Sequence, residues 1–523
     1  MEIRSYAPGG YQGTVVTVEV DCRTGIPGLD IVGLPANEVK EARERARVAI
    51  RNSGFQLPPR RILISLAPAD LQKSGNGFDL AIALAILQGT GQIDGSAVHR
   101  LLVVGELRLD GRVSGVRGVL AAVSEAAEQG VKHVIVPASN EQEAVCIPGV
   151  IAYGVSTLSE IPASLASLMR DRGTRTRAQQ SRELTGFHPA TRPAPPTGSL
   201  TDYRELRGLV SVKRMLQIAA AGGHHALLIG PPGVGKSAAL SLFPTIMPPL
   251  TSAESIEVSR IHSLAGSATP PGGLFSSRPF REPHHNSTTE GLLGGGNPVR
   301  PGEVALAHRG ALFLDEALEF RRPVLQGLRE PMERGRIVVS RAGRRFWFPA
   351  DFQLLLAANP CPCGMLGRHD RVCLCSVAEV ERYWKRIGGP LLDRVDLRMA
   401  VNAETVMVHE ESDSSAAIRG AVVEAVSYRR QRGGRTYNRA LPGVAAREAC
   451  DLTPDGERLV RRVSEQFGFS TRATVSVLRV SRTIADLAGA ARVTEEHILE
   501  ATAYRKSGES EPLWDAGLLD RVG

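Results

Sequence analysis

The feature that most constrains this chain is a glycine-rich segment between an apolar run and a helical pattern. The segment HALLIGPPGVGKSAALSLF starts at His225. Within it, Gly230, Gly235, Lys236 and Ser237 fit the phosphate-loop pattern G-x-x-x-x-G-K-S. That pattern needs a strand before it and a helix after it, and both are indicated here. This part of the chain is therefore predicted to adopt an α/β nucleotide-binding fold.

The segment predicts a site for the phosphates of ATP. Glycines let backbone amides approach the phosphates, and the helix N-terminus adds a favourable dipole. Lys236 is expected to reach the β- and γ-phosphates, and the Ser237 hydroxyl is expected to hold Mg²⁺. The residues predicted to contact the nucleotide are Gly230, Pro231, Pro232, Gly233, Val234, Gly235, Lys236 and Ser237.

An acidic segment about 80 residues further on completes this pattern. GALFLDEAL, from Gly310, is an apolar strand that ends in two acids. We expect Asp315 to support Mg²⁺ and Glu316 to polarise the attacking water. An apolar strand ending in Asp-Glu is common by itself, but it is specific at this distance from a phosphate loop.

Composition and periodicity divide the chain into five parts. Residues 1–170 alternate strand and helix patterns and predict a compact α/β domain, whereas 171–200 is rich in Arg, Thr and Pro and predicts a linker. Residues 201–400 alternate again around the nucleotide motifs. Helical patterns dominate 401–508, and 509–523 is predicted to be a tail.

The first domain contains one clear amphipathic helix. NEVKEARERARVAI places Val39, Ala42, Ala46 and Ala49 on one face, and Asn37 is a candidate N-cap. β-branched runs on either side predict strands, in GTVVTVEVD and RRILISLAP.

The core resembles an AAA+ ATPase of the magnesium-chelatase-subunit-I-like branch. The phrases RPFREPHH, RPGEVALAHRGALFLDE, LLLAANPCPCG, GPLLDRVDL and RVSRTIADLAG carry this resemblance. With the N-terminal domain it extends over nearly the whole chain and points to the ComM/YifB competence-protein family. The resemblance implies that Asn359 is the first sensor, and that Arg394 is an arginine finger for a neighbouring subunit's ATP. It implies that Arg472 is the second sensor, with Arg479 as the weaker candidate. It also implies that the helical region 401–508 forms a small C-terminal lid domain.

Two stretches of the N-terminal domain resemble the Lon-protease-type, ribosomal-S5-like domain. They are KSGNGFDLAIALAIL, from Lys73, and VGELRLDGRVSGVRGVL. The serine and lysine positions of the protease dyad fall on Gly77 and Leu120, so neither nucleophile nor base is present. Ser74 and Lys73 are adjacent, which does not favour the dyad geometry. We therefore expect a binding or assembly module, with a possible protein partner.

A hairpin is predicted before the first sensor. Strands RIVVS and RFWFP flank the turn RAGR, which contains Gly343. Arg341, Arg344 and Arg345 cluster at its tip and are candidate DNA contacts, because arginines suit phosphate groups. In the family the resemblance indicates, this hairpin projects toward the pore of a ring. A merely solvated hairpin is the alternative.

Other candidate contacts to nucleic acid are less specific. Phe346 and Trp347 could stack on bases, but strand alternation predicts that one of them is core. His284 and His285 lie in an insertion that resembles the helix-2 insert of the branch. On a strand they would face opposite sides and would not share a metal. The basic run YRRQRGGRTYNR, from Tyr428, could touch phosphates or be simply solvated.

Four of the seven cysteines lie in one loop, in the pattern C-x-C, nine residues, C-x-C. Four thiolates in two close pairs can satisfy tetrahedral Zn²⁺, whereas disulfides are disfavoured in a cytoplasmic chain and iron–sulfur clusters usually need other spacings. The loop starts after Asn359 and leads to the helix before Arg394, so a metal would fix this connection. The predicted structural zinc ligands are Cys361, Cys363, Cys373 and Cys375.

Charge and composition are compatible with a polyanionic partner. The net charge is +8, and residues 1–170 contribute 16 Lys/Arg against 17 Asp/Glu, so the basic excess lies in the rest of the chain. Aromatic residues are only 5%, which disfavours an extended base-stacking platform. The start has no apolar signal-like run and no stretch is long enough to span a bilayer, so we expect a cytoplasmic protein without a membrane partner.

These features and the AAA+ resemblance together imply a ring-forming ATPase, expected to be a hexamer, with ATP, Mg²⁺ and structural Zn²⁺ as cofactors. The resemblance implies that it moves along single-stranded or branched DNA, as a helicase or branch-migration motor in natural transformation and recombination. The alternative is a chelatase-like or protein-remodelling motor that acts on a protein partner. An inert nucleotide-binding scaffold is disfavoured, because every hydrolytic position is filled.

Overall fold

The structure is a computed structural model that describes residues 2–94, 100–170, 201–267, 270, 272–341, 343–368, 370–401, 413–434 and 436–506. The predicted linker 171–200 and tail 509–523 lie outside the described residues. Among the described helices, none is long and apolar enough to cross a membrane.

The N-terminal part is built on a seven-stranded mixed sheet with helices packed against it. Its strands run in the order β3-β4-β2-β1-β5-β8-β9, while β6 and β7 form a separate pair. The nine strands are Glu2–Ala7, Thr14–Arg23, Gly28–Val32, Arg61–Ala67, Arg100–Val103, Glu106–Leu107, Val113–Ser114, His133–Pro137 and Ile151–Val155, numbered β1 to β9. The α-helices are Asn37–Asn52, Asp79–Gly89, Val119–Glu128, Glu141–Ala144 and Ile161–Arg170.

The amphipathic helix forms over Asn37–Asn52, and the face predicted from the sequence is the buried face. Val39, Ala42, Ala46 and Ala49 are all at most 1% exposed. The N-cap prediction was wrong. Ala36 occupies the cap position without a side-chain hydrogen bond, and the residue after it begins the helix itself. Burial of the small apolar face therefore sets the position of this helix without a side-chain cap.

The second part is a five-stranded parallel sheet in the order β11-β14-β17-β10-β18. Buried apolar runs form its central strands, as expected where helices cover both faces. The strands of this part are Ala226–Ile229, Phe280–Arg281, Gly294–Gly295, Arg300–Pro301, Ala311–Leu314, Arg336–Arg341, Arg344–Pro349, Gln353–Ala358 and Leu397–Ala400, numbered β10 to β18. The pair β12–β13 and the hairpin β15–β16 stand outside the sheet. The α/β prediction is thus confirmed, and the structure adds that the sheet is parallel.

Helices surround this sheet and continue to the end of the described chain. Those of the sheet region are Val210–Gly222, Lys236–Ser241, Ser252–Ala265, Thr289–Leu293, Glu303–Leu306, Arg322–Gly327, Arg329–Arg334, Val377–Trp384 and Gly389–Leu392. Beyond residue 412 the regular elements described are helical: Ser415–Gln431, Gly443–Cys450, Pro454–Gln466, Thr471–Leu487 and Glu495–Lys506, with a short 3₁₀ turn at Asn438–Ala440. They share one apolar core with Val210–Gly222. Their role as a lid stays a prediction.

The N-terminal part packs directly onto the nucleotide-binding part. The Tyr11 amide donates to the Trp347 carbonyl at 2.9 Å, and the two rings lie 5.2 Å apart between centroids. The Arg260 guanidinium lies over the Tyr11 ring at 4.5 Å. The Gly118 amide donates to the Ser263 carbonyl at 3.0 Å. The first part of the chain is therefore attached both to a core helix and to the predicted hairpin.

Candidate nucleotide site and arginine surface

The phosphate loop lies at the carboxyl end of β10 and opens the helix Lys236–Ser241. Gly233 and Gly235 have φ near +89° and +88°, which glycine adopts without the steric cost that other residues meet. A Cβ at Gly230 would lie 2.4 Å from the Val401 carbonyl oxygen, so a side chain would force the loop off the sheet. The loop conformation therefore depends on glycine at all three positions.

Lys236 is held by its own loop. Its Nζ donates to the carbonyls of Gly230 and Pro231 at 2.7 and 2.9 Å. Burial lowers the pKa of Lys236 to about 8, although the negative charges of Asp315 and Glu316 oppose the shift. Because the buried Lys236 ammonium is hydrogen-bonded, among the described residues, only to neutral carbonyl oxygens of its loop and to the nearby Asn359, phosphate oxygens can replace these partners.

The acidic strand end faces the loop as the sequence predicted. The Ser237 hydroxyl donates to Asp315 Oδ1 at 2.9 Å, and the Glu316 amide donates to the same oxygen at 3.0 Å. A hydroxyl beside a carboxylate supplies the hard oxygen ligands that Mg²⁺ prefers. Glu316 adopts φ +49° and its carboxylate is about half exposed, so it projects from the strand end toward solvent.

The predicted first sensor also reaches this cluster. Asn359 follows β17, the strand between β10 and β14, and its Oδ1 lies 3.4 Å from Lys236 Nζ. The structure therefore brings together Lys236, Ser237, Asp315, Glu316 and Asn359, which the sequence places up to 123 residues apart.

Two residues near these acids were not assigned to the nucleotide site by the sequence. Burial and the charge of Asp315 raise the pKa of Glu282. His285 Nδ1 lies 3.9 Å from Glu316 Oε2. Glu282 and His285 both belong to the segment RPFREPHH. The sequence could not show that this segment lies close to Asp315 and Glu316. The rings of His284 and His285 lie 4.1 Å apart between centroids, tilted by 35°, in a segment that is not a strand, so the expectation that they face opposite sides was wrong.

The other two predicted catalytic arginines lie together on a different surface. Arg394 Nη2 and Arg472 Nη2 both donate to Glu333 Oε1, the second at 2.7 Å. The hydrogen bond from Arg472, together with Arg394, holds the pKa of Glu333 below its ordinary value. In the described residues neither arginine bonds to a phosphate-loop residue. We call Arg394, Arg472 and Glu333 the arginine surface.

The weaker second-sensor candidate has a structural role. Arg479 donates from Nε and Nη2 to the Leu441 carbonyl at 2.8 and 2.5 Å, and it is largely buried. Its guanidinium is thus used to fix one helix against a turn, whereas Arg472 is exposed.

The four predicted zinc ligands meet at one point. Their sulfur atoms all lie within 4.8 Å of one another, and the closest contacts measure 3.4 to 3.6 Å. Tetrahedral zinc with Zn–S bonds of about 2.3 Å places sulfurs roughly 3.8 Å apart, so this donor set fits the ion. Burial opposes ionisation of Cys363, but hydrogen bonds from the Met365 amide and the other thiols outweigh it and lower its pKa to about 7.

The cysteine loop also contacts the phosphate loop. A Cβ at Gly364, which has φ +73°, would lie 3.0 Å from Pro232 Cδ. On the other side, the indole of Trp384 donates to the Pro360 carbonyl at 3.1 Å. The loop therefore joins the phosphate loop to the helix Val377–Trp384, which precedes Arg394 in the chain.

The hairpin forms as predicted, with Arg341 opposite Arg344 beside its turn. Arg345 is exposed, and Arg341 Nη1 donates to the Gly296 carbonyl at 2.7 Å, which links the tip to the insertion. A cavity of about 490 Å³ separates the two elements.

The expectation for the two hairpin aromatics was wrong. Phe346 and Trp347 are both half-buried, and Phe348 is the core residue of this strand at 1% exposure. Trp347 packs on Tyr11 of the N-terminal part, so it is not a free stacking surface.

The protease positions of the N-terminal part are structural. Leu120 is fully buried in the helix Val119–Glu128. Lys73 is also fully buried, and its Nζ donates to the Pro68 carbonyl. Neither geometry supplies a nucleophile and base, in agreement with the sequence.

Three family models match the chain. The model for magnesium chelatase, subunit ChlI, covers residues 202–408, and that for subunit ChlI of Mg-chelatase covers residues 18–140. The model for the C-terminal part of subunit ChlI covers residues 412–505. The phosphate loop, both acids, the cysteine loop and Arg394 lie in the first match, and Arg472 lies in the third.

Several relatives are similar over nearly their whole length. The chain is 38% identical to YifB of Salmonella typhimurium over 515 residues, which cover 96% of each chain. It is 37% identical to the competence protein ComM of Haemophilus influenzae over 509 residues, which cover 96% of this chain and 97% of the relative. A shorter match of 173 residues, at 29% identity, is to the Lon protease of Salinispora arenicola and covers 31% of this chain.

Proposed function

This chain belongs to the ComM/YifB family of magnesium-chelatase-like AAA+ proteins, and we propose that it is a ring-forming motor that hydrolyses ATP between neighbouring copies. We further propose that the motor uses this energy to move along single-stranded or branched DNA. The name of its relative ComM, a competence protein, supports a role in the uptake or recombination of DNA.

One observation carries the proposed assembly: the residues of hydrolysis lie in two separate groups. Lys236, Ser237, Asp315, Glu316 and Asn359 surround the phosphate loop. Arg394 and Arg472 converge on Glu333. Phosphoryl transfer is accelerated when a guanidinium neutralises charge on the γ-phosphate. Because Arg394 and Arg472 do not contact the phosphate loop of their own chain within the described residues, we infer that they act on the nucleotide bound by another copy.

The proposed reaction assigns one task to each group. Ser237 and Asp315 would hold Mg²⁺, which neutralises phosphate charge when bound. Glu316 accepts a proton from the attacking water, and Asn359 orients that water beside Lys236. Arg394 and Arg472 of one copy then stabilise the charge on the phosphate held by the next copy. The shared contact with Glu333 supports placing both arginines at the same neighbour's nucleotide.

The hairpin with arginines at its tip supports the proposal that the motor moves along DNA. Arg344 and Arg345 lie beside its turn, and phosphate contacts from such a tip give affinity without sequence preference. The exposure of Arg345 and the basic excess beyond residue 170 are consistent with this role.

The decisive experiment is ATP turnover with and without single-stranded and branched DNA. We expect stimulation by DNA, and we expect Arg344→Gln/Arg345→Gln to weaken DNA binding and flatten its salt dependence by about one log–log unit per lost phosphate contact. Arg382→Gln removes an exposed arginine from the helix Val377–Trp384 and serves as the matched control. Absence of both stimulation and salt-sensitive binding would reject DNA.

The second candidate is a motor that remodels a protein partner, and the chelatase family to which the matched models belong favours it. In that case the rate of ATP hydrolysis rises when a partner protein is added and does not change when DNA is added. The N-terminal part, which we expect to act as a binding or assembly module, is then the first place to look for that partner.

We also propose that the cysteine loop holds one structural zinc ion. The thiol spacing and the amide donated by Met365 to Cys363 Sγ at 3.4 Å support a thiolate site. Elemental analysis of the purified chain tests this directly. About one zinc per chain is expected, and a metal-free protein with four titratable thiols in this loop would reject it.

A further inference from the structure

A second cleft lies at the opposite end of the parallel sheet from the nucleotide site. Its volume is about 470 Å³, and it separates the core from the helix Ser415–Gln431. Arg309 and Asp351 line it just before strands β14 and β17 begin, whereas the phosphate loop follows the carboxyl end of β10. The cleft is thus separate from the ATP site.

Most of the charged side chains in this cleft are arginines. Five arginines and two acids line it, together with Tyr437. The arginines are Arg278, Arg309, Arg429, Arg430 and Arg439. Two of them lie over the Tyr437 ring, with guanidinium carbons 5.8 and 4.8 Å from its centroid. So many cations in one cleft repel one another unless anions balance them.

Three of these arginines are balanced by carboxylates. Arg278 pairs with Glu254 at 2.9 Å. Asp351 accepts from Arg309 at 2.9 Å and from Arg439 at 2.6 Å. Both acids that line the cleft are therefore already engaged with arginines on the core side.

Arg429 is the buried arginine without such a balance. It is 5% exposed, and its described hydrogen bond runs from Nη1 to the Ala221 carbonyl at 3.0 Å. Its Nε has no partner in the described residues. Burial lowers the pKa of Arg429, although Tyr437 and Asp486 oppose the shift. A buried cation whose described contacts are one carbonyl and one aromatic ring, with no carboxylate bonded to it, favours an anion beside it.

Arg430 adds a second unbalanced charge at the edge of the same cleft. It is exposed, and no ion pair links it to an acid in the described part of the chain. Arg429 and Arg430 belong to the basic run YRRQRGGRTYNR, which the nucleotide site does not use. The fold thus turns part of that run inward, against the charged ends of two core strands.

We propose that this cleft binds a small anion that carries phosphate groups and bridges Arg429 and Arg430 to the core. The volume is that of a small-molecule site rather than of a nucleic-acid channel. Guanidinium groups match phosphate geometry through paired hydrogen bonds, and several of them converge here. Such a ligand joins the C-terminal helices to the sheet, so its presence restrains motion between them.

Inorganic pyrophosphate is the probe, and its titration into the full-length chain is followed by calorimetry without Mg²⁺. The protein carries Lys236→Ala, so that the phosphate loop does not compete for the probe. Arg430→Gln removes one cleft charge from an exposed position where folding is not at risk. Arg461→Gln is the matched control, because Arg461 is also an exposed arginine of the C-terminal helices and does not line the cleft.

We expect pyrophosphate to bind the Lys236→Ala protein, and Arg430→Gln to weaken it about tenfold, the value of one charge-assisted hydrogen bond. Arg461→Gln leaves the affinity unchanged. The proposal is overturned if no pyrophosphate binds at millimolar concentration, or if both variants bind it equally. It is also overturned if Arg430→Gln weakens single-stranded DNA binding but not pyrophosphate binding, because the cleft edge then serves the nucleic acid.

Discussion

The nucleotide site and the arginine surface differ in how their charges are balanced. In the nucleotide site, Lys236 is held by the carbonyls of its own loop, and Ser237 is held by Asp315. On the arginine surface, two guanidinium groups share the carboxylate of Glu333, and Arg472 Nη1 also lies 3.6 Å from Asp393 Oδ2. The first site is suited to phosphates, whereas the two arginines of the second are already paired with carboxylates of their own chain.

In the motor we propose, one chain holds both halves of a catalytic site without joining them. Phosphate oxygens of the nucleotide would replace the carbonyl oxygens around Lys236. The γ-phosphate held by a neighbouring copy would replace Glu333 as the partner of Arg394 and Arg472. Single substitutions in each half test this division of the site between copies.

The largest effect is expected from Arg394→Ala. Loss of an arginine finger costs about 10³-fold or more in turnover, while binding of ATP to the same chain is retained. Mixing Arg394→Ala with Lys236→Ala chains should restore part of the activity, because some seams then combine an intact phosphate loop with an intact arginine. Undiminished turnover by Arg394→Ala, or no recovery in the mixture, would show that the two halves do not cooperate between copies.

The next largest effect is expected from Glu316→Gln. Removal of the general base lowers turnover about 10²- to 10³-fold, while nucleotide affinity changes little because the phosphate loop is intact. Single-turnover kinetics separate the chemical step from binding. In contrast to the arginine variant, Glu316→Gln mixed with Lys236→Ala should not recover, since no chain then contains both intact groups. Recovery in that mixture would contradict the assignment of Glu316 to the same chain's nucleotide.

A smaller effect is expected from Cys373→Ser, which tests the connection between the two regions. Loss of one thiolate releases the metal and loosens the loop between Asn359 and the helix before Arg394. Turnover should fall about tenfold, because small misplacements of catalytic groups are costly. Cys22→Ser, outside the loop, is the control. If zinc is lost and turnover stays unchanged, the loop does not align the two regions.

The smallest effect concerns the protonation of Lys236. Its pKa of about 8 in the free site should rise when phosphate charge arrives, so nucleotide binding near pH 8 takes up about half a proton. Affinity for a non-hydrolysable nucleotide accordingly declines as the pH rises above 8. Calorimetry in buffers of different ionisation enthalpy measures the uptake, and Lys236→Arg should abolish it. Equal heats in all buffers would exclude a lowered pKa.

Local patterns with a strict geometric meaning were predictable from the sequence. The phosphate loop, the acidic strand end and the hairpin each combine a few neighbouring residues with one backbone conformation, and the structure has all three. Features that depend on distant packing were not. The sequence around Glu333 does not indicate that two arginines share its carboxylate. Likewise, the sequence around Glu282 does not indicate that Glu282 lies near Asp315.

Predictions from strand alternation and capping were weaker for the same reason. Trp347 is half-buried because Tyr11 of the N-terminal part packs on it, and the core residue of this strand is Phe348. The rings of the histidine pair approach each other because their segment is not a strand. In each case another part of the chain, or the lack of regular structure, overrides the local rule.

The contact between Tyr11 and Trp347 has a mechanical consequence. If the hairpin moves during ATP turnover, there are two outcomes. Either the N-terminal part moves with it, or the hydrogen bond and ring contact between Tyr11 and Trp347 break in each cycle. The first outcome would couple motion of the hairpin, which we propose contacts DNA, to motion of the N-terminal part and of any partner bound there.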